Sequence, residues 1–118
     1  MPQGTEDQKA KRHQAIQDAT RNAIDIPMQV AQVAHDGLSL AAAMASDGNP
    51  NSVTDAGVGA MCLRTAVLGA VLNARINCGD LEDADYVAHI QSRCAKLVES
   101  AMRQESEILA TVDRVMAG

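Results

Sequence analysis

Aromatic side chains are almost absent from this chain of 118 residues, which has one tyrosine and neither phenylalanine nor tryptophan. Proteins that bind single-stranded nucleic acids stack the bases on aromatic rings, so this composition argues against that function. The net charge of −5 points the same way, because phosphate backbones are bound by basic surfaces. We therefore expect no nucleic-acid partner.

The chain also has little that would hold a disulfide framework or a metal. Its three cysteines cannot all pair, and no CxxC spacing occurs. The histidines, His13, His35 and His89, are too scattered to form a local metal site, and we expect none. The N-terminus is polar, unlike a signal peptide, and the overall composition is not that of a membrane span. We expect a reduced, cytoplasmic setting with no membrane partner.

Alanine is abundant instead, with 21 residues, and it is the best helix former. The composition predicts an all-α fold, a long helical bundle of about four helices. Thr5 and Gln8 have the spacing of a capping box, and Pro27 disfavours helix at the residue before it. The predicted helices run from Thr5 to about Asp25, from Pro27 to about Ser46, from Ser52 or Thr54 to about Asn77, and from just after Asp80 as far as Met116.

The last predicted helix is too long for a compact monomer. Its apolar residues recur every three or four positions from Val87 to Ile108, close to a heptad repeat. Such a helix is about 54 Å long, whereas a compact chain of this size is roughly 35 Å across. We expect its stripe to be covered by oligomerisation, as a homodimer, or by a missing N-terminal half.

The third predicted helix carries a strip of small residues with polar residues at both ends. A tight helix–helix contact and the wall of a ligand groove both fit this strip, and both remain open. The rest of the helix is so apolar that we expect it to be buried on most sides. Arg64 and Arg75 point away from the strip, either to pair with acids or to bind an anion. The strip consists of Asp55, Gly59, Cys62, Ala66, Gly69, Asn73 and Asn77.

Two segments carry a resemblance to a known family, GNPNSVTDAGVGA (Gly48–Ala60) and GAVLNARIN (Gly69–Asn77). Thr5–Ala31 and the stretch DLEDADYV (Asp80–Val87) support it. These segments resemble the cyclodeaminase part of the formiminotransferase-cyclodeaminase family, which includes bacterial methenyltetrahydrofolate cyclohydrolases. Family members also have an N-terminal half with a Pro-Gly-Gly-Gly loop, which this sequence lacks. Residues 1–118 therefore resemble the C-terminal half of such a domain, as one helical domain.

The resemblance implies an enzyme of folate one-carbon metabolism that acts at N5 and N10 of tetrahydrofolate. It is either a cyclodeaminase, which is an ammonia lyase, or a cyclohydrolase, in which water attacks the methenyl carbon. The substrate is a tetrahydrofolate derivative, and no covalently bound cofactor is implied. We expect the chain alone to be weakly active at best, with a separate N-terminal half as a further partner. The alternative is a non-catalytic helical dimerisation module derived from the family.

Both reactions need proton transfer at one carbon and negative charge near a delocalised cation. Asp55 is the candidate catalytic residue, because it starts a helix just after a turn; otherwise its carboxylate only stabilises that helix. Asn51, Asn73 and Asn77 are candidate substrate-binding residues for the pterin edge, with capping or interhelical hydrogen bonds as the alternative. Arg75 is the candidate that meets the glutamate carboxylates of folate.

Overall fold

The computed structural model of the protein describes residues 4–118. Within that range the chain forms three long helices, α1 (Glu6–Asp47), α2 (Val53–Cys78) and α3 (Ala84–Ala117), with a short 3₁₀ turn at Pro50–Ser52. No strand occurs among these residues, so the predicted all-α fold is confirmed. The three helices form a bundle in which α1 and α3 run parallel and α2 runs antiparallel to both.

The first two predicted helices are one helix, so the predicted break at Pro27 is wrong. α1 has 42 residues with Pro27 inside it, and it starts at the predicted capping box of Thr5 and Gln8. A proline inside a helix removes one backbone hydrogen bond and costs about 3 kcal/mol. Burial of several aliphatic side chains on both sides of Pro27 outweighs that cost. The buried residues of α1 are Ile24, Met28, Ala31, Ala34, Leu38, Ala41 and Ala45.

α2 and α3 begin and end close to the predicted positions, although one cap differs. Ser52 stands at the cap position of α2 but makes no side-chain hydrogen bond there. The preceding turn is held by Asn49, whose side chain accepts from the Asn51 N–H at 3.0 Å. Asp83 caps α3 by accepting from the Tyr86 N–H.

The molecule is a rod with extents of 73 × 22 × 17 Å and a radius of gyration of 19.9 Å. The chain is therefore not a compact globule roughly 35 Å across. The expectation that a second copy or an N-terminal half must cover the stripe of α3 is wrong, because α1 is long enough to lie beside α3. The apolar stripe of α3 is covered within the chain. Its buried members are Ile90, Cys94, Leu97, Ala101, Ile108 and Val112.

α2 is much less covered than its composition predicts. Its two neighbours bury one side only, and the opposite side exposes large apolar residues, so the expected burial on most sides is wrong. The exposed fractions are 53% for Val58, 42% for Met61, 62% for Leu72 and 77% for Ile76. By length and composition alone, the segment Pro50–Cys78 is apolar enough to cross a membrane, and a core helix of a bundle has the same composition.

Candidate functional site

The predicted site residues lie in two groups at opposite ends of α2. Asn51, in the 3₁₀ turn, and Asp55, in the first turn of α2, are both exposed. Asn73, Arg75 and Asn77 occupy the last turns of the same helix. Asp55 and Asn73 share a face, but they are 18 positions apart, which corresponds to about 27 Å along the axis. A single chain therefore does not bring the candidate catalytic residue close to the candidate pterin-binding residues.

Asp55 is available for a ligand. Within residues 4–118 its carboxylate takes part in no salt bridge or side-chain hydrogen bond. It stands in the first turn of α2, where the partial positive charge of the helix stabilises a carboxylate. Its placement fits both of its interpretations, as a reactive carboxylate and as a helix-stabilising one.

The two asparagines near the end of α2 differ in their surroundings. The Asn77 side chain donates to the main-chain oxygen of Asn73 at 2.9 Å, which is a bond along the surface of one helix. The Asn73 side chain lines a groove of about 400 Å³ between α1 and α2, beside Pro27 and Val30. Of the two asparagines, Asn73 is the one that lines this groove.

Arg75 lies on a different side of α2 from Asn73, in a larger groove of about 780 Å³ between α2 and α3. Pockets for small molecules have volumes of this order. Arg75 is exposed, and no salt bridge involving it is found within the described residues. Its guanidinium can therefore receive an anion beside a largely apolar wall. The other residues that line this groove are Val71, Gln91, Cys94, Ala95, Val98, Glu99 and Met102.

Arg64 has an internal role. Its Nε lies 2.7 Å from Oε2 of Glu105 on α3, and both side chains are partly buried. Of the two interpretations offered for Arg64, the structure supports the ion pair with a neighbouring helix. Glu105 was not predicted as its partner, because sequence spacing within one helix does not show which acid faces it from another.

Two of the three thiols are buried between the helices. Burial raises the pKa of Cys78 and of Cys94, and the nearby Arg75 partly opposes the rise in both. The Cys94 sulfur lies 3.6 Å from the Met28 sulfur. A raised pKa keeps these groups as neutral thiols, so they behave as small apolar side chains rather than as nucleophiles. Cys62 is exposed, on the small-residue strip.

A polar cluster between α1 and α3 is a feature that sequence analysis missed. The His35 Nε2 lies 2.7 Å from Ser100 Oγ and 3.1 Å from Gln104 Nε2. Gln104 also donates to Ser100 at 2.9 Å. The available signal was a polar residue within the otherwise apolar buried stripe of each helix, which in coiled coils fixes register.

Comparison with known proteins decides the family. The family model described as formiminotransferase-cyclodeaminase matches residues 1–96, most of the chain. The chain belongs to the formiminotransferase-cyclodeaminase family. The resemblance predicted from the GNPN turn and the α2 segments is therefore confirmed. All five predicted site residues lie inside the matched range of this family member.

Relatives of this cyclodeaminase-family chain include a methenyltetrahydrofolate cyclohydrolase from Methylorubrum extorquens. It is 30% identical over 95% of this chain and 54% of the relative. The formimidoyltransferase-cyclodeaminase of Rattus norvegicus is 26% identical, over 96% of this chain and 21% of the relative. That of Gallus gallus is 27% identical, over 97% of this chain and 21% of the relative. The chain thus spans about half the length of the first relative and about a fifth of the others.

Proposed function

We propose that this protein acts in folate one-carbon metabolism, as an enzyme of the cyclodeaminase or cyclohydrolase type or as a component of one. The observation that carries the proposal is the family match over residues 1–96, together with relatives named for these two activities. The substrate is a tetrahydrofolate derivative that carries a one-carbon unit on N5 or bridging N5 and N10. The three free cysteines suit a cytoplasmic location, where thiols stay reduced.

The chemistry assigns a role to Asp55. In the cyclohydrolase reaction water attacks the methenyl carbon, and in the cyclodeaminase reaction N10 attacks the formimino carbon and ammonia leaves. Each reaction removes or creates a delocalised cation, which a nearby carboxylate stabilises. Each also needs a group that transfers a proton within hydrogen-bond reach. The exposed Asp55 carboxylate, which has no other partner among the described residues, supports its assignment to both tasks.

Arg75 and Asn73 are the proposed binding residues. The groove between α2 and α3 offers an apolar wall for the body of a folate and the Arg75 guanidinium for a glutamate carboxylate. Asn73, in the groove between α1 and α2, offers an amide that can pair with the pterin edge. These two residues face different sides of one helix, and Asp55 lies about 27 Å from Asn73.

The distance between Asp55 and Asn73 is relevant to the second candidate function, a non-catalytic module. One chain with separated groups fits a non-catalytic helical dimerisation module, unless further protein completes the site. We propose that a second copy of this chain, or an N-terminal half such as the longer relatives have room for, supplies what is missing. The exposed apolar surface of α1 and α2 favours such a partner, because large uncovered apolar patches mark interfaces.

Turnover of 5,10-methenyltetrahydrofolate and of 5-formiminotetrahydrofolate, measured on the purified chain, tests the proposal. We expect weak activity, because an incompletely enclosed site loses positioning of the substrate. Addition of a separately produced N-terminal half from a relative should raise the rate. Failure to bind any tetrahydrofolate derivative in either state would leave the dimerisation module as the function.

Asp55→Asn separates the catalytic role from the structural one. Loss of a positioned proton-transfer group should lower kcat by about a hundredfold, while loss of a charge at a helix start costs about 0.3–1 kcal/mol. Asp47→Asn is a matched control, since Asp47 is an exposed acid at the opposite end of a helix. A lower Tm with an unchanged rate would show that Asp55 only stabilises α2.

A further inference from the structure

Pro27 leaves one backbone oxygen of α1 without its helical donor. In an α-helix the carbonyl oxygen of each residue accepts a hydrogen bond from the N–H four residues later. Proline has no N–H, so the carbonyl oxygen of Ala23 lacks this partner. Backbone groups left unpaired at the surface are satisfied by water or by a ligand. Because Ala23 is exposed, its oxygen does not require a partner from the protein.

The Ala23 oxygen belongs to the wall of the groove between α1 and α2. Side chains four residues apart lie one above the other on the same face of a helix, and the backbone hydrogen bond that joins such residues lies between them. Ala23 and Pro27 both line this groove of about 400 Å³. The oxygen that Pro27 leaves unpaired therefore lies on the groove side of α1.

Asn73 reaches the same level of the groove from α2. Gly37 packs against Leu63, since a Cβ on Gly37 would lie 3.2 Å from the Leu63 side chain. Because α1 and α2 are antiparallel, Pro27, ten residues before Gly37, is level with Asn73, ten residues after Leu63. Within residues 4–118 the Asn73 side chain makes no hydrogen bond. A backbone oxygen and a side-chain amide thus lie about one helical turn apart along the groove.

The rest of the groove is apolar. Ile26 and Val30 lie beside Pro27 on α1, while Ala66 and Ala70 form the facing wall on α2. None of the described residues that line the groove is charged. Ligand pockets of this kind are mostly apolar, with a few polar groups that fix the orientation of the ligand. The group that fits is flat and neutral, with hydrogen-bonding atoms along one edge.

We propose that the Ala23 carbonyl and the Asn73 side chain together bind the amide edge of a pterin ring. This edge presents a 2-amino group, an N3–H group and a 4-oxo oxygen, which are two donors followed by an acceptor. The Asn73 amide accepts from N3–H through Oδ1 and donates to the 4-oxo oxygen through Nδ2. The 2-amino group then donates to the Ala23 oxygen. This assignment rests on the proposed folate function, and it adds a backbone atom that recognises the 2-amino group.

The proposal gives a reason for a proline inside α1. Proline destabilises a helix interior, and any other residue at position 27 would supply the N–H that pairs with the Ala23 oxygen. The buried residues of α1 make the proline tolerable, but they do not require it. An unsatisfied backbone group in a native structure calls for an explanation, and recognition of a donor on the ligand supplies one.

Pro27→Ala tests the role of the oxygen, because alanine restores the N–H that pairs with it. The variant should fold with a higher Tm, since it removes a proline from a helix interior. The probes are 5-formyltetrahydrofolate and its 2-desamino-2-methyl analogue, which lacks the donor to Ala23. We expect the purified parent chain to bind 5-formyltetrahydrofolate about tenfold more tightly than the analogue, as loss of one hydrogen bond predicts. Pro27→Ala should bind the two probes equally, which equilibrium dialysis measures.

Two further variants separate the oxygen from the shape of the groove. Val30→Ala is the matched control, because it removes apolar volume from the same groove and leaves the backbone hydrogen bonds of α1 unchanged. It should weaken the binding of both probes in parallel and keep the preference for the 2-amino group. Asn73→Ala should also weaken both, since both probes have the N3–H group and the 4-oxo oxygen.

The outcomes distinguish this subsite from the proposed function. A parent chain that binds both probes equally, or a Pro27→Ala variant that keeps the parent's preference, would overturn the role of the Ala23 oxygen and leave the folate function standing. Loss of the preference in Val30→Ala would also overturn it, because groove shape would then explain the result. Asn73→Ala binding like the parent would refute the pairing with Asn73. A parent chain that binds neither probe would refute the folate function, and this subsite with it.

Discussion

The two sides of α1 hold their neighbours by different means. Towards α3 and the loop before it, α1 presents a ladder of polar contacts, whereas towards α2 it presents alanines, a glycine and aliphatic side chains. The polar pairs are His13–Glu82, Gln17–Glu82, Arg21–Asp83, Asp25–Tyr86, Gln32–Arg93 and His35–Ser100. Polar pairs specify one partner and one register, while small apolar surfaces accept several. The comparison shows that α1 contacts α3 through specific polar pairs and contacts α2 through close packing of small apolar side chains.

The distribution of charge follows the same division. Residues 22–78 contain only six of the 25 charged residues of the chain. This part carries most of the exposed large apolar residues of α1 and those of α2. Depletion of charge is characteristic of the centre of an interface, and a free surface normally has more solubilising groups. The charge-rich segments before residue 22 and after residue 78 contain most of the residues that form the polar pairs between α1 and α3.

Leu38→Ala should give the largest loss of stability, because Leu38 is fully buried in α1. Removing a buried leucine side chain costs about 2–5 kcal/mol. Leu40→Ala is the matched control on the exposed side of α1, where 69% of the residue is accessible. In dilute solution Leu40→Ala should change the free energy of unfolding by less than about 0.5 kcal/mol. Urea unfolding of both variants checks this, and equal losses would contradict the difference in burial between Leu38 and Leu40.

His35→Ala should give an intermediate loss. It leaves the partly buried Ser100 and Gln104 without their partner across the α1–α3 seam. An unsatisfied buried polar group costs about 1–3 kcal/mol. His89→Ala is the control, since His89 is exposed on α3. If the two variants unfold at the same urea concentration, the polar ladder contributes nothing to the stability of this seam.

The buried thiols should give the smallest effect, seen only at alkaline pH. Because burial raises the pKa of Cys78 and Cys94, the folded chain keeps their protons to higher pH than the unfolded chain does. Unfolding therefore releases protons once the pH passes the ordinary thiol pKa of about 8.5, and the free energy of unfolding falls as pH rises. Urea unfolding from pH 7 to about 10 should show a shallower decline for Cys78→Ala/Cys94→Ala than for the parent. Parallel declines would mean that the thiols titrate alike in both states.

Local signals predicted much of the fold. The capping box at Thr5, the turn before α2 and the heptad pattern of α3 identified three helix boundaries and the buried face of α3. The helix break predicted at Pro27 was wrong because a proline acts only on the local backbone. The buried stripe that keeps α1 continuous depends on helices distant in sequence. The expected compact shape failed for a related reason: two helices of similar length can lie side by side as a rod, and general size relations do not include that arrangement.

Less of the candidate site followed from the sequence. Helical periodicity predicted that Asp55 and Asn73 share one face of one helix, and both lie on α2 in the structure. The same geometry sets their separation of about 27 Å, but it does not show that Asn73 lines a groove with α1. The partner of Arg64 and the groove around Arg75 depend on how α2 and α3 pack, and no pattern within one helix shows that.

The rod shape governs how the protein moves in solution. A particle 73 Å long and 22 Å wide experiences more friction than a sphere of equal mass. It therefore diffuses slowly, and on a size-exclusion column it elutes ahead of a globular standard of 12.4 kDa. A second rod that lay flat along the full length of the first would thicken the particle without lengthening it and would lower the frictional ratio. End-to-end association would double the mass equally but would raise the frictional ratio.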